Sequence, residues 1–227
     1  MKILFMGRKQ VSANLLRFLT KQDHIEIVGV LTDSHLQGSP TTAAAQELGL
    51  PLYTFDTALE AMREGRLKYD LGLSVLYWRK LRDEFLSIPT LGTINFHPAL
   101  LPEYKGTGGY NLAIMDELNE WGNTAHYVDA SIDTGEIIEV DRFPIDAETE
   151  TAQSLERKTM QALEDFARRI ITRAIESKTK LPTTPNIGGR YVSRDEMEAM
   201  KQIRDGDDVE KKIRAFWFPP YDGAYVE

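Results

Sequence analysis

Short apolar runs and amphipathic stretches take turns through roughly the first hundred residues, and that rhythm restricts the fold more than any other feature. Lys2–Met6 is an apolar run ended by Gly7, and Val11–Leu19 places Val11, Leu15, Phe18 and Leu19 at helical spacing. Ile25–Leu31 reads as a second strand, closed by Thr32-Asp33-Ser34. After Gly38-Ser39-Pro40, Thr41–Leu48 reads as a short helix stopped by Gly49. Leu50–Tyr53 follows as a strand, Thr57–Glu64 as a helix ending at Gly65, and Leu71–Leu76 as a strand. Arg79–Leu86 has helical character ahead of a strand at Thr93–Phe96. Alternation at this pace implies βαβ units, hence an α/β fold with a mainly parallel sheet. Such sheets place ligands beyond the carboxyl ends of their strands, which directs attention to the residues after Met6, Leu76 and Phe96.

The second half is less regular. Tyr110–Leu118 reads as a helix, and Thr124–Asp129 and Ile137–Phe143 as strands joined by a polar turn containing Asp133-Thr134-Gly135. Thr151–Ser177 carries a long helical pattern with Leu155, Leu163, Phe166, Ile170, Ile171 and Ala174 for one face. Leu181–Arg190, rich in Pro, Thr and Gly, reads as a linker or extended arm. Ser193-Arg194-Asp195-Glu196 fits a capping box, Asp208–Ala215 fits another short helix, and Phe216-Trp217-Phe218-Pro219-Pro220-Tyr221 forms an aromatic tail. The expected division is a main domain at 1–178 and a C-terminal extension at 179–227.

Composition narrows the chemistry. Lys and Arg number 27 against 35 Asp and Glu, a net charge of −8, which suits a nucleic-acid backbone poorly and argues against such a partner. The absence of Cys excludes disulfides, thiolate metal sites, a Cys nucleophile and iron–sulfur ligation. No apolar run approaches the roughly 20 residues of a membrane span, and the opening Met1–Met6 run is too short for a signal peptide. A cytoplasmic protein without membrane attachment is the expectation.

Of the four His, His24 and His35 lie beside loop or strand ends with no evident partner. His97 differs, because it ends the strand Gly92-Thr93-Ile94-Asn95-Phe96-His97-Pro98. Period-two alternation sends Asn95 and His97 to one side and Ile94 and Phe96 to the other. The amide of Asn95 can donate to developing oxyanion charge, and an imidazole moves protons near neutral pH. A hydrogen-bonded strand terminus would explain the pair equally well. The carboxylate to set the His protonation is best sought at Asp133, with Asp129 and Glu136 as competitors. Asp133-Thr134-Gly135 is also ordinary turn chemistry. Gly7-Arg8-Lys9-Gln10 lacks the glycines of a dinucleotide fingerprint, although Arg8 and backbone N–H groups there can meet a phosphate. Gly106-Thr107-Gly108-Gly109 lacks the Lys-Ser/Thr of a P-loop, no His pair has metal-ligand spacing, and no Ser sits in a nucleophile elbow. A metal site is not expected.

The run Ile94-Asn95-Phe96-His97-Pro98-Ala99-Leu100-Leu101-Pro102-Glu103-Tyr104-Lys105-Gly106, followed by His126-Tyr127-Val128 and Ile132-Asp133-Thr134-Gly135-Glu136-Ile137-Ile138, resembles the folate-dependent formyltransferases over about residues 1–175. That resemblance implies a Rossmann-like sheet with helices on both faces, using 10-formyltetrahydrofolate as co-substrate. It implies that Asn95 stabilises the oxyanion, that His97 is the acid/base, and that Asp133 orients His97 and tunes its protonation. Leu76, Tyr77, Trp78, Arg79 and Leu81 fall where the family's pterin loop lies, with the Asp129–Asp133 turn, including Ile132, closing the other side and His126 supporting that wall. Ala99 departs from the Ser that often follows His-Pro in the family, removing a hydroxyl but none of the three catalytic groups.

Within the superfamily, the acidic chain and the roughly fifty residues after the long helix point away from a methionyl-tRNA formyltransferase. The first loop is unlike the Gly/Ser/Asn-rich one of glycinamide ribonucleotide transformylases, and no regulatory domain of a formyltetrahydrofolate hydrolase precedes Met1. The resemblance is strongest to the sugar N-formyltransferases, which act on a nucleotide-linked amino sugar in lipopolysaccharide or O-antigen synthesis. It implies an acceptor site drawing on Arg8, Tyr104, Lys105 and the aromatic Trp217, with Arg214 as a further cation, and it accommodates a homodimer. A non-catalytic folate- or nucleotide-binding protein on the same scaffold is the contrasting reading.

Overall fold

The computed structural model describes residues 1–32 and 38–226, so the Asp33-Ser34 end of the second strand's turn, and His35, lie outside the described residues. Apolar runs buried on both faces make the strands β1 (Lys2–Gly7), β2 (Glu26–Leu31), β4 (Leu71–Val75) and β5 (Thr93–His97), and the short β3 (Leu52–Tyr53), not buried, forms the edge. They pair in parallel in the order β3-β2-β1-β4-β5. The sheet then reverses: β7 (Glu120–Tyr127) and β8 (Ile137–Pro144) extend it with antiparallel pairings to seven strands. The Rossmann-like, mainly parallel architecture expected from the alternation is present.

Alternation along each strand sorts side chains to two cores. Ile3, Phe5, Leu73, Val75, Ile94, Phe96 and Ala125 face α1 (Gln10–Leu19), α2 (Pro40–Glu47) and α6 (Ala152–Ser177). Leu4, Met6 and Leu31 turn the other way, toward α3 (Phe55–Arg63) and α4 (Asp83–Ser87). Each fully buried Leu, Ile or Phe contributes about 1.5–3 kcal/mol. Every apolar residue expected on the long helix face, Leu155 through Ala174, is buried. On α1, Phe18 is only partly buried and instead lies beneath the Arg168 guanidinium, 4.8 Å from the ring centroid.

Three departures from the sequence reading matter. The helix expected at Arg79–Leu86 is confined to Asp83–Ser87, and the residues before it form an irregular loop. That loop begins at Leu76, whose φ of 58° carries the chain sideways off β4, and the Arg79 guanidinium folds back over the rings of Phe55 and Trp78. Strand β7 starts at Glu120, four residues before Thr124, despite Gly122 and Asn123. Two three-residue strands, β6 (Tyr104–Gly106) and β9 (Arg190–Val192), pair in parallel across more than eighty residues of chain. Segments that short carry no readable period.

Beyond α6 the chain packs back onto the sheet domain. Thr184 bridges Ile137, the capping box at Ser193 opens α7 (Arg194–Ala199) as expected, and α8 (Val209–Phe216) packs against α5 (Gly109–Met115). Among the described residues no helix is long and apolar enough to cross a membrane.

Candidate active site

Register alone brings the first three polar groups together. Ser74 on β4 lies opposite Asn95 on β5, and Asn95 lies opposite His126 on β7. The hydroxyl of Ser74 donates to Asn95 Oδ1 at 2.8 Å, and Asn95 Nδ2 donates to His126 Nε2 at 3.1 Å. His126 Nδ1 is 2.8 Å from the carbonyl of Tyr127, which can only accept, so Nδ1 carries the proton and Nε2 is the acceptor. The Asn95 amide is thereby oriented from both sides. One amide N–H is committed to His126, and the other has no partner among the described residues and is available to the cavity.

His97, two residues on, points to the same face. Its Nε2 is 2.8 Å from the Tyr104 carbonyl, which again fixes the tautomer: Nε2 holds the proton and Nδ1 is the working nitrogen. Asp133 Oδ1 lies 3.5 Å from Nδ1, an ion-pair distance and too long for a hydrogen bond. The ring is therefore oriented by Tyr104, while the carboxylate stands ready to receive a proton-bearing Nδ1. Burial, the largest influence, pulls the His97 pKa below its ordinary value; Asp133 and the Tyr104 carbonyl push it up, and His126 pushes it down. The net direction is down, so the neutral imidazole predominates near pH 7.

Asp133 occupies the turn between β7 and β8 at φ 54°, a left-handed conformation costing a non-glycine residue about 1–2 kcal/mol. Its Oδ2 accepts the Gly106 N–H at 2.9 Å, and Asn186 Nδ2 donates to the carbonyls of Asp133 and Gly135 at 3.0 and 2.9 Å. Burial alone would raise the Asp133 pKa, but His97, His126 and the Gly106 N–H outweigh it and hold the carboxyl at about 2. Two glycines are obligatory in this geometry. A Cβ at Gly135 would lie 1.8 Å from the Tyr127 carbonyl oxygen, and one at Gly106 2.3 Å from that of Val192.

These groups open on a cavity of about 280 Å³. Its walls contain every residue expected at the pterin loop and the opposing turn: Leu76, Tyr77, Trp78, Arg79 and Leu81 on one side, Asp129 and Ile132 on the other, with Asn95, His97, His126 and Asp133 between. Ser74, Gly106, Thr107 and Tyr191 also line it; Gly106 and Thr107 were weighed from sequence only as a P-loop, and Ser74 and Tyr191 were not singled out. Ser74 did leave a signal, being the one polar residue in the apolar run Leu71–Val75. Tyr191 and Asn186 left none, because nothing in a Pro/Thr/Gly-rich arm indicates where it docks.

The residues expected for the acceptor are not gathered at the cavity. The Tyr104 side chain donates its hydroxyl to Asp116 at 3.1 Å, so only its carbonyl serves the site. Lys105 is buried, with Nζ bonded to the Gly188 carbonyl at 2.7 Å. Trp217 sits at the end of α8, half exposed, with its carbonyl accepting the Gln153 N–H. Arg8 follows β1 near Tyr221 of the aromatic tail; burial lowers its pKa, and its Nε has no partner among the described residues. Arg214 Nε is likewise buried without one.

Residues 1–173 match the family model described as formyl transferase. The chain belongs to that family. The methionyl-tRNA formyltransferase of Lysinibacillus sphaericus (strain C3-41) is similar at 30% identity over 242 residues, covering 99% of this chain and 74% of the relative. Among solved structures, a Francisella tularensis 4-N formyltransferase is similar with a TM-score of 0.81 and 21% identity, over 99% of this chain and 91% of that one. A Helicobacter canadensis N-formyltransferase, solved with folinic acid and dTDP-3-aminofucose, is similar with a TM-score of 0.77 and 24% identity, over 96% and 81%. The family-matched segment of this formyl transferase contains Asn95, His97 and Asp133, whereas Asn186 and Tyr191 lie past it.

Proposed function

We propose that the chain transfers a formyl group from 10-formyltetrahydrofolate to the amine of a nucleotide-linked amino sugar. The observation that carries the formyl-transfer chemistry is the convergence of Asn95, His97 and Asp133 on a cleft that is also walled by residues of the 76–81 loop and of the turn that carries Asp133. That cleft suits a flat, hydrogen-bonding pterin, with backbone groups of the loop on its edge and Leu76 and Leu81 on its faces.

The chain's groups then divide the work. The free N–H of Asn95 donates to the formyl oxygen as negative charge builds there, an interaction worth about 3–4 kcal/mol in a water-poor site. His97 Nδ1 takes the proton that the attacking amine must lose, and Asp133 beside it stabilises the resulting imidazolium. The same proton is then delivered to the departing folate nitrogen, which leaves His97 neutral again.

For the acceptor, support comes from the solved relatives and from the net charge of −8. Arg8, which directly follows the carboxyl end of β1, is the cation assigned to a diphosphate, and the exposed rings of Trp217 and Tyr221 offer stacking faces for a base. The 30% identity to a methionyl-tRNA formyltransferase favours a second reading in which the amine belongs to a charged tRNA. One assay separates them. Purified chain is given 10-formyltetrahydrofolate with amino sugars linked to dTDP, UDP or GDP, or with methionyl-tRNA, and tetrahydrofolate release is followed. Turnover on a nucleotide sugar is expected. Turnover on methionyl-tRNA alone would establish the second reading, and folate binding without turnover on any amine would leave a binding protein.

A further inference from the structure

Between α6 and β9 the chain crosses the site as an arm, residues 181–192. The Leu181 N–H donates to the Tyr127 hydroxyl at 2.8 Å, and Thr184 exchanges both backbone hydrogen bonds with Ile137. Asn186 then reaches the turn that carries Asp133. Its two amide hydrogens match two acceptors, the Asp133 carbonyl at 3.0 Å and the Gly135 carbonyl at 2.9 Å. Its own Oδ1 is buried and has no partner among the described residues, so the amide is oriented by those two donations. The arm goes on to bind the other side of the site: the Gly188 carbonyl accepts Lys105 Nζ, Arg190 N–H donates to the Glu103 carbonyl, and Thr107 N–H to that of Val192. It thus ties together the turn bearing Asp133 and the segment supplying the Tyr104 carbonyl and Gly106 N–H.

We propose that Asn186 is a positioning residue for formyl transfer, its side-chain amide clamping the left-handed turn so that the Asp133 carboxylate meets His97 Nδ1. The inference rests on the formyl-transfer reading above. The left-handed region carries a cost even for Asp, and the contacts that hold Asp133 there include Asn186 behind the turn and Gly106 in front. Asn186 touches no reacting atom. Its effect passes through the distance between a carboxylate and an imidazole, and a displacement of about 1 Å in such a geometry costs roughly a hundredfold in rate.

The test uses Asn186→Ala, Asn186→Asp, which fills the same volume but turns acceptors toward two carbonyls, and Thr183→Ala, which removes the arm's side-chain bond to Glu136 at the β8 end of the turn and leaves both Asn186 donations in place. Two quantities are read: kcat against KM for the formyl donor, and the imidazole titration of His97 by NMR. With only four His in the chain, the signal is assigned by its loss in His97→Gln. The groups facing this imidazole are Asp133 from the turn, His126 from β7 and the Tyr104 carbonyl at the start of β6. Both Asn186 variants should lose about tenfold to a hundredfold in kcat, with KM changed less than about threefold. Their His97 midpoint should move down, because the carboxylate that raises it has retreated, and Thr183→Ala should match wild type in both readouts. An unchanged His97 midpoint in a folded Asn186 variant, with kcat within about twofold of wild type, would overturn the role. The titration requires no turnover. A wild-type chain inactive on every amine would therefore sink the functional reading, while the His97 midpoint still decides the place of Asn186.

Discussion

In a water-poor pocket the imidazole of His97 gives up its proton more readily than in solution, and the Asp133 carboxylate 3.5 Å away only partly restores its basicity. The base is needed neutral, so kcat/KM should rise with pH along an acid limb whose midpoint lies below the ordinary His value of about 6.5. Asp133→Asn removes the charge that raises that midpoint; the limb should move to still lower pH while the plateau rate falls, and a full pH–rate profile of both proteins checks this. The sign for stability is the same. A folded-state pKa depressed below its unfolded value gives His97 a stabilising contribution that is present above about pH 6.5 and lost as pH falls through the depressed value. Asn95→Ala should lower kcat by about a hundredfold to a thousandfold with modest change in folate affinity. Ser74→Ala leaves that amide in place but frees one side of it, and a loss of about tenfold, the worth of one hydrogen bond, is expected in kcat. A Ser74→Ala enzyme as fast as wild type would show that His126 orients the amide alone. Asn95 and His97 were legible because they alternate on one short strand. Ser74 and His126 were less so, since their roles depend on which strands become neighbours.

Elements carry the site unequally. The turn between β7 and β8 is built around Gly135, so Gly135→Ala must push the Tyr127 carbonyl aside and carry Asp133 with it. Activity should collapse and thermal stability should drop together, which parallel kcat and melting measurements would show. By contrast, Thr151 caps the 26-residue helix α6 through a capping box with Ser154. Thr151→Ala should cost about 1 kcal/mol, lowering Tm by roughly 2–4 °C and leaving kcat unchanged. A kcat effect there would mean that α6 is coupled to the site in a way the hydrogen bonds do not show. The capping box at Ser193, the long helix and the parallel strands were readable because their signals are local and periodic, whereas the Thr151 box, with Ser in place of Glu or Gln at its third position, was not. Residues 79–82 were misread as the start of a helix because the positive φ of Leu76 sends the chain into a loop, which a sequence of good helix formers does not announce.

At the scale of the whole molecule, a net charge of −8 bears on which acceptor the chain can hold. If the acceptor is a nucleotide sugar, KM for it should rise modestly between about 50 and 200 mM salt, reflecting one or two phosphates. A tRNA acceptor neutralised by several cations would lose on the order of a thousandfold over the same range. A salt titration of kcat/KM on the accepted substrate separates these slopes. The sequence by itself determined the layered α/β plan and the strand bearing Asn95 and His97, because alternation is written over a few neighbouring residues, and only the resemblance to the formyltransferases singled out Asp133 from Asp129 and Glu136. Only the tertiary structure decided that the Tyr104 carbonyl sets the working nitrogen of His97, that Lys105 is spent on Gly188, and that Asn186 reaches the Asp133 turn. Those contacts join positions from seven to more than eighty residues apart. Their formation depends on how the arm after α6 folds back across the sheet, and no local pattern records that path.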